Sequence, residues 1–274
     1  MLVAVDTGAT KTLVASFGKD GVLKDQVKFP TPKSAAEYIK TLSKTLEQLF
    51  ENKHIDAIII AAPGVSKNGV IIWGGGNLAW KNFNLAGELK GVLDGAPIFI
   101  ENDANLAGLG ETRFLKNKPA QSLYVTISTG IGTGIITDGY INSALRNSEA
   151  GHALIEYDGI VQDWENFASG KAILKTYGKY ARDIKSKQIW NQVADRISRG
   201  FLAVIPILQP DVIIIGGSIG TYFDKYEKRL QALLKEKLPP HIPCPQFRQA
   251  KYPELAVIYG CYYYGIDKLS HKKA

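Results

Sequence analysis

Glu101-Asn102-Asp103-Ala104-Asn105 directly follows a short apolar run, Ala96 to Ile100. A carboxylate at the end of a buried strand, flanked by two amides, suits a polyhydroxylated substrate. The amides fix hydroxyls, and Asp103 accepts a hydroxyl proton as that oxygen attacks an electrophile. The same residues also make a helix N-cap, for which Asn and Asp are preferred. Taken alone, the pentad favours the cap. Three other segments shift the balance toward chemistry.

Residues Val3 to Ala15 set Asp6-Thr7-Gly8-Ala9-Thr10-Lys11-Thr12 between two apolar runs, the pattern of a hairpin. At such a turn, backbone N–H groups near Gly8 and the Thr10 and Thr12 hydroxyls can point at phosphate oxygens, with Lys11 adding charge. Asp6, at the strand end, suits a hydrated Mg²⁺, which keeps most of its waters and needs few protein carboxylates. An ordinary surface hairpin explains this segment equally well by itself. Leu123 to Ile136 repeats the theme around Ser128-Thr129-Gly130-Ile131-Gly132-Thr133-Gly134. Its glycines let a backbone approach an anion without a Cβ in the way. Two such turns far apart in the chain suggest two lobes gripping one polyphosphate. A Walker loop is excluded, because Gly170-Lys171 lacks the earlier Gly and the following Ser/Thr. The third segment, Asp211 to Ile215, ends in Gly216-Gly217, where a backbone can lie against a flat ring such as adenine. A tight strand-to-helix turn is the alternative there.

Together these segments resemble the sugar kinases of the ROK family, within the actin-like ATPase superfamily. Asp6-Thr7-Gly8-Ala9-Thr10-Lys11 is similar to the family's D-x-G-G-T-K, with Ala9 replacing a glycine. Ala62-Pro63-Gly64-Val65 and Gly76-Asn77-Leu78-Ala79-Trp80 resemble its P-G-x and N-L-x-W segments. Asn102 to Asn105 is its N-D-A-N, and Ser128 to Gly132 resembles its G-T-G-I-G. Glu149-Ala150-Gly151-His152 resembles its G-E-x-G-H, with Ser148 at the first glycine, and Trp164 to Gly170 its L-E-x-x-x-S-G.

The resemblance implies an α/β fold of two actin-like (ribonuclease H-like) lobes with a central cleft. It implies a hexose kinase using ATP and Mg²⁺, with Asp103 as general base. Asn77, Asn102, Glu149, His152 and Glu165 would hold sugar hydroxyls. Asp6, Gly8, Thr10, Lys11, Thr12, Thr129, Gly130 and Gly132 would handle phosphates and the ion, and Gly216 and Gly217 the adenine. Glucose, phosphorylated at O6, is the first acceptor to expect. Fructose, mannose, N-acetylmannosamine and N-acetylglucosamine stay open, as does polyphosphate as donor. The rival from another class is a non-catalytic sugar or nucleotide sensor on the same fold.

One departure matters chemically. Family members usually carry a C-x-C-G-x-x-G-C zinc loop between the G-H and L-E segments, with the histidine as fourth ligand. Here that stretch, Ala153 to Asp163, contains no cysteine. A closed structural zinc site needs four N or S ligands, so no zinc is expected, and His152 is expected at a sugar hydroxyl. A core histidine bonded to backbone is the plainer reading of that residue.

The elements expected to position these groups run in order along 274 residues, long enough for two cores. Ser34 to Phe50 has helical spacing, and Asp56 to Ala62 and Pro97 to Ile100 read as buried strands. A helix from Ala104 to Phe114 should join the lobes, with further helices at Lys171–Arg182 and Gln188–Leu208. The first lobe is expected over 1–106, completed by a closing helix within 255–274, and the second over 107–254.

Cys244 and Cys261 stand in unrelated contexts, so no disulfide framework is expected. The opening residues lack a basic region and cleavage site, and no apolar stretch approaches a membrane span. The cytoplasm is the expected compartment, with no membrane partner. Net charge is +7 with pI ≈ 9.2, yet the basic residues are dispersed and no DNA-binding helix pair precedes Asp6. Nucleic acid is therefore not an expected partner; the charge eases capture of an anionic nucleotide. A homodimer is left open.

Overall fold

The computed structural model describes residues 1–74, 78 and 80–271. Asn77, expected at the sugar, lies outside them.

β1 (Leu2–Thr7) and β2 (Lys11–Phe17) pair antiparallel, with Asp6 opposite Leu13 and Thr7 opposite Thr12. β3 (Leu23–Pro30) extends the antiparallel set and sets Lys28 opposite Leu13. α1 (Ala35–Phe50) buries Tyr38, Leu42, Leu46 and Phe50, a stripe at helical period. These side chains share one core with Val3, Val5, Ile58 and Ile60. β4 (Ala57–Ala62) is buried along its whole length and runs parallel to β1, which is why it reads as an unbroken apolar run. β5 (Gly64–Lys67), β6 (Val70–Gly74) and β7 (Lys81–Phe83) form a separate small antiparallel sheet. After the single turn α2 (Leu85–Glu88), β8 (Ile98–Asn102) pairs parallel with β4 and leads into α3 (Asp103–Arg113).

The topology then repeats. β9 (Gln121–Ile127) and β10 (Ile131–Thr137) form a second hairpin, extended by β11 (Tyr140–Ile141). A 3₁₀ turn at Ala150–His152 is followed by a separate hairpin of β12 (Leu154–Tyr157) and β13 (Ile160–Asp163). α4 (Trp164–Ala168), α5 (Gly170–Tyr177) and α6 (Lys187–Leu208) follow. The helix expected over Lys171–Arg182 ends five residues early. Gly178 takes φ 63° and its N–H bonds Leu174 O, a left-handed helix stop. β14 (Val212–Gly216) runs parallel to β9, the single turn α7 (Gly217–Gly220) leads to α8 (Phe223–Lys237), and β15 (Gln246–Gln249) pairs parallel with β14.

The two main sheets have orders β3-β2-β1-β4-β8 and β11-β10-β9-β14-β15. Each is a hairpin-first sheet continued by parallel strands, the duplicated unit of an actin-like two-lobe α/β fold. The chain divides into two compact units, Met1–Gly110 with Leu255–Ala274, and Glu111–Glu254. In the second unit, α6 and α8 bury Trp190, Ile197, Phe201, Tyr226 and Leu230 in one core with Val125, Ile213 and Ile215.

α9 (Ala256–His271) returns the chain to the first unit. It packs on β1 and β4 through close backbone approaches. A Cβ on Gly260 would collide with the Leu106 carbonyl, and one on Gly110 with the Ala256 carbonyl. Among the described residues, no helix is long and apolar enough to cross a membrane.

Candidate functional site

In the first unit, the N-D-A-N motif does its local work through Asn102. The Asn102 side-chain oxygen accepts from Ala104 N (2.8 Å) and Asn105 N (3.1 Å), capping α3, while its amide donates to Gly64 O (3.0 Å). Buried Glu101 locks the same turn, accepting from Asn102 N and from the Asn105 side chain. The cap and the catalytic reading are therefore divided between neighbours: Asn102 caps, and Asp103 is what the cap positions. Asn102, expected at a sugar hydroxyl, thus has its side-chain oxygen engaged by α3 and its amide by Gly64 O.

Asp103 is half-buried and accepts from Ala104 N at 2.8 Å. Burial raises its pKa, opposed by that hydrogen bond. Asp6, half-buried at the end of β1, is pushed up to about 7, first by burial and then by the Asp103 charge, with Lys28 pulling the other way. The two carboxylates thus stand close enough to repel. Lys28, in register with Leu13 and hence two strands from Asp6 on the same face, is a cation that the linear pattern did not single out. Only strand register could have revealed it.

The first turn is built under tension between burial and exposure. Thr10 and Lys11 are exposed at its tip, and Gly8 N closes it on Lys11 O at 3.0 Å. Thr12, expected at a phosphate, is fully buried, and its hydroxyl pairs with that of Thr31 at 2.9 Å. Thr31 in turn donates to Gly8 O at 2.7 Å. Thr12 therefore braces the turn from beneath and is out of a ligand's reach.

In the second unit, Thr129 is exposed at the tip of the β9–β10 turn. Glu165 reaches that turn, its carboxylate accepting from Ile131 N at 3.1 Å, and a Cβ on Gly130 would crowd the same oxygen. The 3₁₀ turn after Glu149 lies directly on β10, where Gly151 leaves no room for a side chain against the Ile131 carbonyl. Glu149, His152 and Glu165 are thereby gathered beside Gly130 and Ile131. His152 Nδ1 lies 3.0 Å from Asp163 Oδ2. Its pKa is raised, most by this partner and further by the charges of Glu165 and Glu149.

Residues 153–163, where the family's zinc loop would lie, form the β12–β13 hairpin. Trp164 N bonds Ala153 O at its base, and Asp158 and Gly159 both take positive φ at its tip, as a two-residue hairpin turn requires. Among the described residues, no group of three or more His, Cys, Asp or Glu side chains is gathered to cage a metal ion.

A cavity of about 640 Å³ opens beside the second turn, lined by Ser128, Thr129, Gly170, Gly217, Tyr180 and Tyr222 among others. Its size suits a nucleotide. Gly217 (φ +79°) lines it, but Gly216 is a correction. Gly216 is buried with Tyr124 occupying the space of its missing Cβ, so its glycine serves packing. Tyr180, Arg182 and Tyr222 also line this cavity. They went unsingled in the sequence because a misplaced helix end hid the first two.

The model of the ROK family matches residues 2–264. The chain is 30% identical over 235 residues to a fructokinase of Lactococcus lactis subsp. cremoris, covering 79% of this chain and 78% of that one. It is 26% identical over 260 residues to a glucokinase of Thermotoga maritima, with coverage of 80% and 82%. The structure of a ROK family glucokinase from Streptomyces griseus, in complex with glucose and AMPPNP, superposes with a TM-score of 0.81 at 21% identity, covering 97% of this chain and 99% of that one.

Proposed function

The chain belongs to the ROK family, and from that premise we propose that it transfers the γ-phosphoryl group of ATP to a hexose, with glucose O6 as acceptor. It is a phosphotransferase acting on a sugar hydroxyl. The choice of glucose is our reading, since relatives at this identity are named for different hexoses. The observation that carries the chemistry is Asp103, a carboxylate fixed at a capped helix start with a raised pKa, in the same unit as Asp6 and the first phosphate turn.

Asp103 takes the hydroxyl proton as the sugar oxygen attacks phosphorus. Phosphoryl transfer otherwise asks mainly for positioning and charge neutralisation. Thr10 and Lys11 on the first turn, and Thr129 with the Gly130 backbone on the second, supply both. The Asp6 carboxylate, burdened by burial and by Asp103, fits a hydrated Mg²⁺; when bound, the ion neutralises phosphate charge. Glu149, His152 and Glu165 hold sugar hydroxyls, and Gly217 with Tyr180 and Tyr222 encloses the base.

A coupled ADP-release assay over a panel of hexoses with ATP and Mg²⁺ tests the reading. Glucose should show the highest kcat/KM. Higher kcat/KM on fructose would move the acceptor, and sugar binding without turnover on any member would make the protein a sensor.

Glu165→Gln probes the sugar side. A glutamine oxygen can still accept from Ile131 N, so the tether survives while the charge is lost. Removing a charged acceptor costs roughly 1.5–3 kcal/mol, so hexose affinity should fall about 10- to 150-fold with ATP affinity nearly unchanged. Calorimetry showing wild-type sugar affinity would place Glu165 outside the sugar site and leave its role to the turn alone.

A further inference from the structure

Asp163 stands at the N-cap position of α4, a place where aspartate normally turns its side chain onto the first helical N–H groups. It makes no such bond here. Its carboxylate reaches instead to His152 Nδ1 at 3.0 Å. The cap is worth about 1 kcal/mol where it forms, so this geometry forgoes a local gain for a contact eleven residues away.

The β12–β13 hairpin is what makes that contact. Leu154 pairs with Asp163, and the Ala153–Trp164 backbone bond closes the ladder one step further. His152 and Asp163 are thus held side by side at the open end of the ladder. The hairpin is anchored on both sides. Trp164 is fully buried and packs edge-on against Phe201, and Tyr157 stacks on Phe167 at 4.5 Å with the Arg196 guanidinium 5.1 Å from the Tyr157 ring centroid. With the backbone so fixed, the carboxylate decides where the imidazole sits.

We propose that Asp163 is the positioning residue for His152 in sugar binding: its carboxylate accepts from Nδ1–H, fixes the ring plane and tautomer, and leaves the ligand-side bond to Nε2, which accepts from a sugar hydroxyl. This rests on the hexose-kinase reading. A hydrogen-bonded second partner commonly sets which nitrogen of a histidine carries the proton. The arrangement supplies through the fold an orientation that needs no metal ion, consistent with a stretch 153–163 that contains no cysteine.

The test has a ligand-free arm and a binding arm. Histidine ¹⁵N spectra of metal-free protein, taken at about pH 9 so that the ring is neutral, should show His152 with its proton on Nδ1; the signal is assigned by its loss in His152→Gln. Asp163→Asn keeps the side chain's size and removes no cap bond, since none is made, so it should fold, and it should shift His152 toward the Nε2–H tautomer. Hexose affinity by calorimetry should fall about tenfold with the KM for ATP unchanged, Asp163→Glu should recover part of the loss, and Asp163→Asn should add nothing in a His152→Gln background. EDTA should change neither the His152 signal nor the calorimetric hexose affinity. An unmoved His152 signal, unchanged sugar affinity, additive losses, or zinc-dependent sugar affinity would each overturn the proposal. Failure of the hexose-kinase reading looks different: the wild type would bind no hexose while the Asp163-dependent tautomer shift persisted.

Discussion

Asp103→Asn is expected to lower kcat by ~10²–10⁴, the range for loss of a positioned general base, with sugar affinity close to wild type. The substitution is conservative at this site for a specific reason. The asparagine oxygen can still accept from Ala104 N, and α3 keeps its Asn102 cap. What disappears is the proton acceptor, whose pKa burial already holds above the ordinary carboxylate range. Steady-state kinetics on a variant that still unfolds cooperatively read this directly. A near-normal kcat would remove Asp103 from the mechanism and leave the N-D-A-N motif as a helix cap.

Asp6→Asn should abolish most Mg²⁺-dependent turnover and, without metal, make the protein more stable at neutral pH. Folding raises the Asp6 pKa from 3.8 to about 7, so the folded chain holds this proton more tightly than the unfolded one. The associated stability is fully present below about pH 4 and is lost as pH rises to about 7. Asparagine carries no charge to desolvate. In EDTA, the melting temperature of the variant minus that of the wild type should therefore be near zero at about pH 4 and several degrees positive at about pH 7.5. The full raise corresponds to at most ~4 kcal/mol. A difference that does not grow with pH would mean that Asp6 ionises in the folded protein as readily as in the unfolded chain. The same carboxylate that destabilises the metal-free protein is the one proposed to hold the ion.

What was legible in the sequence was whatever a contiguous run could announce. Residues 57–62 read as a buried strand because both faces are covered, and the periodicity over 35–50 matches the helix that forms. The N-D-A-N and G-T-G-I-G segments, with their strand-to-turn contexts, pointed to the right family. Misreadings came where a distant partner decides. Thr10 and Thr12 look alike in the turn, but Thr31, from beyond β3, takes the second hydroxyl into the core. Lys28 comes near Asp6 only through the pairing of three strands. Asp163 carried no signal of its own in the sequence, and its turn toward His152 depends on the register of a hairpin. The helix drawn past Gly178 is a different kind of miss, because glycine at a helix end was a visible stop signal.

The placement of α9 has a consequence for how the chain is made. β1 and β4 leave the ribosome early, yet one side of them is covered by a helix that begins at Ala256. Gly260 and Gly265 fit against Leu106, Ile59 and Leu2 with no room for a side chain, so a loosely docked substitute cannot replace that helix. At 5–20 residues per second, β4 waits roughly 10–40 s for its cover. The unit spanning Glu111–Glu254 emerges within that interval and has all of its own core residues in hand. Translation order therefore completes the β9–β10 turn first and the surroundings of Asp6 and Asp103 last. A nascent chain halted before Leu255 would carry a finished second hairpin and apolar strands still in need of a chaperone.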